Sequence, residues 1–170
     1  SWRAHMNQKP TFSSEQIDYF MQVALNEAKL AETDGEVPIG AVIVKDNDII
    51  ARAHNHRELD QIATAHAELL AIEAANRVLG SWRLEDTALF VTLEPCIMCA
   101  GAIINARIPS VYYGAEDSKG GGTRSLYQLL EDDRLNHRAD VHNNIRGAEG
   151  GALLQDFFKK IRLQRKLDKK

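Results

Sequence analysis

His66-Ala67-Glu68 and Pro95-Cys96-Ile97-Met98-Cys99 decide how the chain reads. His66, Cys96 and Cys99 are three soft or borderline donors, a set that suits zinc. Three protein ligands leave the fourth tetrahedral position open, and an open position marks a catalytic zinc rather than a structural one. Glu68 stands two residues past His66, close enough to share the site without ligating. The chain has only two cysteines, three positions apart. That spacing suits metal better than a disulfide framework and fits a reducing cytoplasm. The opposing reading is a zinc-stapled domain, whose fourth ligand would come from His54, His56, His137, His142 or Glu68 itself.

Working outward, both motifs open helices. Thr64 caps a helix over Ala65 to Leu79, which puts His66 and Glu68 in its first turn, and Gly80 stops it. Pro95 suits the first turn of a helix running to about Ala106. Cys96 and Cys99 then lie i and i+3, on one face. Before the first motif, Ile17, Phe20, Met21, Ala24, Leu25 and Ala28 repeat at helical spacing from Ser14, with Ser13 or Ser14 as cap and Gly35 as the end. Gly40 to Val44 and Ile49 to Ala53 flank Asp46-Asn47-Asp48 and read as a β-hairpin. Pro38 and Gly40 either shape the approach to this strand or let backbone come close to a flat ligand. A polar loop from His54 to Thr64 carries Asn55, whose amide offers a donor and an acceptor side by side to a base edge.

Further strands fall at Ala88 to Thr92, Ser110 to Gly114 and Asp140 to Asn143. A short helix spans Ser125 to Leu130. A final amphipathic helix runs from Ala148 to Lys166 with Leu153, Leu154, Phe157, Phe158 and Ile161 as its face. Ser118 to Thr123 is a flexible glycine loop, and it lacks the leading strand and closing Gly-Lys-Ser/Thr of a phosphate-binding P-loop. Helices alternating with strands after a hairpin give an α/β layered domain, a mixed sheet with helices on both faces. Ligand sites gather where helices follow strands in such folds.

The chain has 170 residues, 44% hydrophobic and 26% charged, as expected of one globular domain. No run of about 18 apolar residues suggests a membrane span. No secretory signal is visible. Residues 1–13 read as an N-terminal extension, of which Ser1 to His5 precede Met6 and are set aside as non-native. Residues 14–170 form the domain. The formal net charge of -3 argues against bulk nucleic-acid binding by a basic protein. Yet Lys159, Lys160, Arg162, Arg165, Lys166, Lys169 and Lys170 crowd the C-terminal helix against Asp168 alone. They are a solvated helix end that complements the macrodipole, or a phosphate-contacting tail.

The H-x-E…P-C-x-x-C pattern is the signature of the zinc nucleobase deaminases. Hydrolytic removal of an exocyclic amine needs a hydroxide-like nucleophile at neutral pH, and zinc lowers the pKa of water to about 7. Glu68 suits the proton shuttle, from the attacking water to the ring nitrogen and then to the leaving ammonia.

Glu36-Val-Pro-Ile-Gly-Ala-Val42, Thr64-Ala-His-Ala-Glu68, Thr92-Leu-Glu-Pro-Cys-Ile-Met-Cys-Ala-Gly-Ala102, Asn136-His137-Arg138 and Phe157-Phe158 together resemble the bacterial tRNA-specific adenosine deaminases (TadA type), within the cytidine and deoxycytidylate deaminase superfamily. The resemblance runs from about Ser14 to Lys166. It implies a cytidine-deaminase-like three-layer α/β/α fold with a mixed five-stranded sheet. It implies hydrolysis of adenosine to inosine at the wobble position of a tRNA anticodon, chiefly an arginine tRNA, by a cytoplasmic homodimer that binds the anticodon stem-loop. By the same resemblance His66, Cys96 and Cys99 hold one Zn2+ per subunit and Glu68 is catalytic. Asn55 contacts the base, and Val37, Pro38, Ala67, Leu93 and Ile104 wall the pocket. The chain departs from the pattern at Gly120-Gly121-Gly122, where Gly-Ala is expected after the lysine, and at Arg124, where a small residue is common. The nearest rival is a free-base or nucleotide deaminase with the same zinc machinery. A non-catalytic zinc module that binds RNA is the third reading.

Overall fold

The computed structural model describes residues 6–169. The reading of Ser1 to His5 as non-native lies outside the described residues.

A five-stranded sheet has the order β2-β1-β3-β4-β5. β1 (Gly40–Lys45) pairs antiparallel with β2 (Asp48–His54) and β3 (Thr87–Leu93). β4 (Ser110–Ala115) and β5 (Asp140–His142) continue from β3 in parallel. On one face α1 (Ser14–Thr33) packs Phe20, Met21 and Ala24 against Val42, Val44 and Phe90. α5 (Gly147–Asp168) adds Leu153 to that side. On the other face α3 (Ala67–Leu79) and α4 (Ile97–Ala106) cover Ala41, Ile43, Leu89 and Val91. Both faces are covered, so β1 and β3 are continuous apolar runs instead of alternating ones. Each buried Leu, Ile, Val, Met or Phe contributes about 1.5–3 kcal/mol, which makes these two layers the main source of stability. The expected three-layer α/β/α arrangement is what forms.

Local chemistry sets the ends of the elements. Ser13 caps α1 in a reciprocal box with Gln16: its hydroxyl accepts from Gln16 N–H at 3.2 Å, and Gln16 Oε1 accepts from Ser13 N–H at 2.8 Å. Asp46 and Asn47 take φ of 50° and 64°, the left-handed pair that a tight hairpin turn needs. Gly40 serves helix packing, not a ligand: a Cβ there would lie 2.0 Å from Ala24 O in α1. The described part of the N-terminal extension is docked on the domain. Phe12 meets Phe20, Phe90 and Tyr112 edge-on, Gln8 N–H donates to Asp86 Oδ1 at 2.7 Å, and Asp86 N–H donates to Asn7 Oδ1 at 2.8 Å.

Three expected boundaries move. α3 begins at Ala67 with His66 as its cap residue, two positions later than Thr64 would set it. The His66 ring makes no capping bond because it faces Cys96 and Cys99 instead. α4 begins at Ile97 with Cys96 as cap residue, so Pro95 stands outside the first turn. Cys96 is extended and bridges Gly121. Ser125 to Leu130 is not a helix, and only a 3-10 turn at Leu129–Glu131 forms. The N–H groups of Leu126 and Leu129 donate to the carbonyls of Gly121 and Gly122, not to those four residues back that an α-helix would use.

Candidate active site

The two motifs meet where α3 and α4 begin. His66 Nδ1 lies 3.7 Å from Cys96 Sγ and 3.6 Å from Cys99 Sγ. The three donor atoms lie within 4.8 Å of one another, and no other group of three or more such donors converges this closely among the described residues. Their protonation shows that they compete. The hydrogen bond from Cys99 pulls the Cys96 thiol down to about 4, helped by His66 and opposed by burial. The same contact with Cys96, together with burial, pushes Cys99 up. His66 is raised, chiefly by its bond to Cys96. Two thiols and an imidazole whose donor atoms lie within 4.8 Å of one another are a donor set shaped for a cation, and this soft set fits zinc. His54, His56, His137 and His142 do not join it, so the described residues bring together three candidate ligands and no fourth histidine.

Glu68 is 4% exposed in the first turn of α3. Burial pushes its carboxyl up to about 7, against opposing pulls from its own backbone N–H and from His66. A carboxyl balanced near neutrality can both take and return a proton.

A cavity of about 210 Å³ opens over this centre. It is small by the standard of drug-sized pockets, about 300–1,000 Å³, and its floor is His66, Glu68 and Cys96. Val37, Ala67 and Leu93 line it. Asn55 lines it too, and its Oδ1 is buried without a hydrogen-bond partner among the described residues. Pro38 and Ile104 are not among the lining residues. Pro38 is buried beneath the rim, and Ile104 packs partly buried against the α3–α4 core.

Five further residues line the cavity without having been singled out for it: Ile39, Arg57, Glu94, Asp117 and Phe158. Arg57 begins the short helix α2 (Arg57–Asp60), which a fully buried carboxylate holds in place. Glu36 accepts from the N–H groups of Glu58 and Leu59 at 2.9 Å. Phe158 had a legible signal. Adjacent residues on a helix point about 100° apart, so Phe157 and Phe158 cannot both face the sheet. Phe157 is 8% exposed in the packing layer, and Phe158 is 42% exposed at the mouth of the cavity.

Glu94 organises the opposite rim. Its carboxylate accepts from the N–H groups of Asp117, Thr123, Arg124 and Ser125 and from the Ser125 hydroxyl. The glycine loop is packed, not flexible. A Cβ on Gly121 would fall 2.2 Å from Glu94 Oε2, and one on Gly122 would fall 2.8 Å from Ile97 Cα. The run of glycines lets the loop lie directly on the backbone that carries Cys96.

The family model described as MafB19-like deaminase matches residues 15–162. A tRNA-specific adenosine deaminase of Streptococcus pyogenes serotype M3 is 52% identical over 158 residues, 93% of this chain and 92% of that protein. One from Bacillus subtilis is 49% identical over 155 residues, 91% of this chain and 96% of that protein. A structure solved in a study of A-to-I editing by tRNA:A34 deaminases superposes with a TM-score of 0.77 at 44% identity, covering 80% of this chain and 99% of that one. Such identity, over nine-tenths of the chain, means that the chain belongs to the family of tRNA-specific adenosine deaminases.

Proposed function

We propose that the protein converts adenosine to inosine at the wobble position of a tRNA anticodon, chiefly of an arginine tRNA, with one zinc per subunit held by His66, Cys96 and Cys99. The observation that carries this reading is Glu68. It is a buried carboxyl balanced near neutrality beside a trio of metal donors, at the floor of a cavity whose wall offers the unpartnered Asn55 acceptor. Zinc, when bound, supplies a Lewis acid and activates water at neutral pH.

The chain's own residues supply the rest. Glu68 accepts a proton from the attacking water and delivers it to the ring nitrogen beside the attacked carbon; the same carboxylate then takes the proton of the hydroxyl now on that carbon and passes it to the amino group, which leaves as ammonia while the C=O of inosine forms. Asn55 fixes the base edge through its buried amide. Val37 and Leu93 exclude water from the ring faces, and Phe158 offers an aromatic surface for stacking at the mouth. Arg57 meets the polyanionic backbone. A base in an anticodon is already unpaired, so extruding it costs least there. By its resemblance to the family the protein is a homodimer, and the tRNA in its relatives' names suits the cytoplasm. No helix among the described residues is long and apolar enough to cross a membrane.

The test is incubation of zinc-loaded protein with an arginine tRNA whose wobble base is adenosine, followed by nucleoside analysis. Inosine at the wobble position alone supports the reading. Turnover of free guanine, cytosine or a mononucleotide, with the tRNA untouched, overturns the tRNA assignment and leaves the metal centre standing.

A further inference from the structure

A second group of imidazoles and carboxylates lies on the outer side of the Asn55 segment, and it serves no part of the deaminase chemistry. Glu27, 6% exposed in α1, accepts from Arg52 Nε at 2.9 Å through Oε2. Its other oxygen lies 2.9 Å from His54 Nδ1. A carboxylate already accepting from Arg52 makes that histidine nitrogen the N–H donor. The tautomer leaves the His54 Nε2 lone pair pointing outward. There it meets His56 Nε2 at 3.2 Å, while His56 Nδ1 faces Asp60 Oδ1 at 3.6 Å. Asp34 Oδ2 approaches His54 Nε2 to 3.8 Å.

A neutral imidazole pair closes this contact only by an N–H···N bond, and that turns a lone pair of His56 toward the Asp60 carboxylate. A divalent cation between the two Nε2 atoms resolves the conflict, because both Nδ1–H groups then face carboxylates. The distance fits. At a metal–nitrogen length of about 2.0–2.1 Å, two imidazole nitrogens on a tetrahedral ion stand about 3.3 Å apart. The carboxylate behind His54 is the usual partner of a metal-bound imidazole, which it orients and makes more basic. Asp34 is a half-exposed residue at the C-terminal end of α1 whose Oδ2 lies 3.8 Å from His54 Nε2, which makes it the candidate third ligand.

We propose that His54 and His56, with Asp34, bind a second divalent transition-metal ion of the zinc, nickel, copper or cobalt class. The two imidazole nitrogens select this class over calcium or magnesium. The ion braces the backbone on both sides of Asn55, the residue between the two histidines.

Cobalt(II) alone is the probe, titrated into the metal-free full-length chain. The centre at Cys96 and Cys99 takes one equivalent with intense thiolate charge-transfer absorption in the near ultraviolet. A second equivalent with only weak visible bands is expected from a nitrogen and oxygen site. His56→Leu should lose this equivalent or weaken it at least about tenfold, and Glu27→Gln should weaken it by about 10–100-fold. Both variants should keep the thiolate signal, which shows that the fold is intact. The His56 ring makes no capping bond to α2, so its replacement leaves the helix cap as it was. A parent that saturates at one equivalent overturns the proposal. So does a second equivalent that persists undiminished in His56→Leu, which is adventitious surface binding.

Discussion

Ser125 is tied to Glu94, 31 residues away, by two hydrogen bonds: its N–H donates to Oε2 at 2.8 Å and its hydroxyl donates to Oε1. With Asp117, Thr123 and Arg124 donating as well, one side chain gathers the loop that closes the cavity beside Cys96. Glu94→Gln replaces an acceptor oxygen by an NH2 group facing N–H donors. Leaving buried donors without an acceptor costs about 1–3 kcal/mol each, though relaxation shares the loss. The expected destabilisation is about 2–4 kcal/mol, read from urea unfolding. No change in the urea midpoint would show that the loop holds itself.

The same carboxylate sets an acid limit. Burial works against its charge, but the Ser125 hydroxyl and the amides of Ser125, Asp117 and Arg124 outweigh burial and hold the group down at about 2. A folded value below the ordinary 4.5 makes the unfolded chain the better proton binder. The Glu94 contribution is therefore whole above pH 4.5 and is lost as pH falls toward 2. Parent stability should drop more steeply across that window than that of Glu94→Gln. Parallel curves would show that the carboxylate is not a titrating anchor.

Gly122 lies against the start of α4. A Cβ there must displace Ile97 and the Cys96 carbonyl carbon, 2.8 and 2.9 Å away. Gly122→Ala should cost about 1–3 kcal/mol, as overpacking does. It should also weaken zinc retention against a chelator, because the displaced backbone carries a ligand. Unchanged zinc loss would contradict this coupling.

Phe157 and Phe158 should separate stability from binding. Phe157→Ala empties part of the packing layer and should cost about 3–5 kcal/mol. Phe158→Ala should leave stability within about 1 kcal/mol. Loss of a stacked base costs about 1–3 kcal/mol of affinity, so KM for the stem-loop should rise by about 5- to 150-fold. If Phe158→Ala instead destabilised the fold and left KM unchanged, Phe158 would be a core residue.

The fold was largely legible because both sheet faces are covered. Continuous runs such as Ala41 to Val44 and Ala88 to Val91 can be satisfied only inside layers. The convergence of His66, Cys96 and Cys99 was legible because the three lie in two short motifs. What escaped depends on contacts distant in sequence. Glu36 and Glu94 are buried carboxylates whose partners are backbone amides 22 to 31 residues away, and nothing in their own neighbourhood reveals that. Helix starts at Ala65 and Pro95 were misplaced because His66 and Cys96 turn their side chains to each other. Gly121 and Gly122 looked like flexible chain because a sequence does not show which backbone they touch.

The most direct measurement is single-turnover inosine formation in an arginine tRNA anticodon stem-loop, with zinc content determined on the same samples of parent and Glu68→Gln. The parent should form inosine at the wobble base. Glu68→Gln should keep its zinc and its fold, since it removes only a buried acid, yet be slower by about 10²–10⁴-fold. A zinc-loaded Glu68→Gln that forms inosine at the parent rate would contradict the assignment of Glu68 as the proton shuttle.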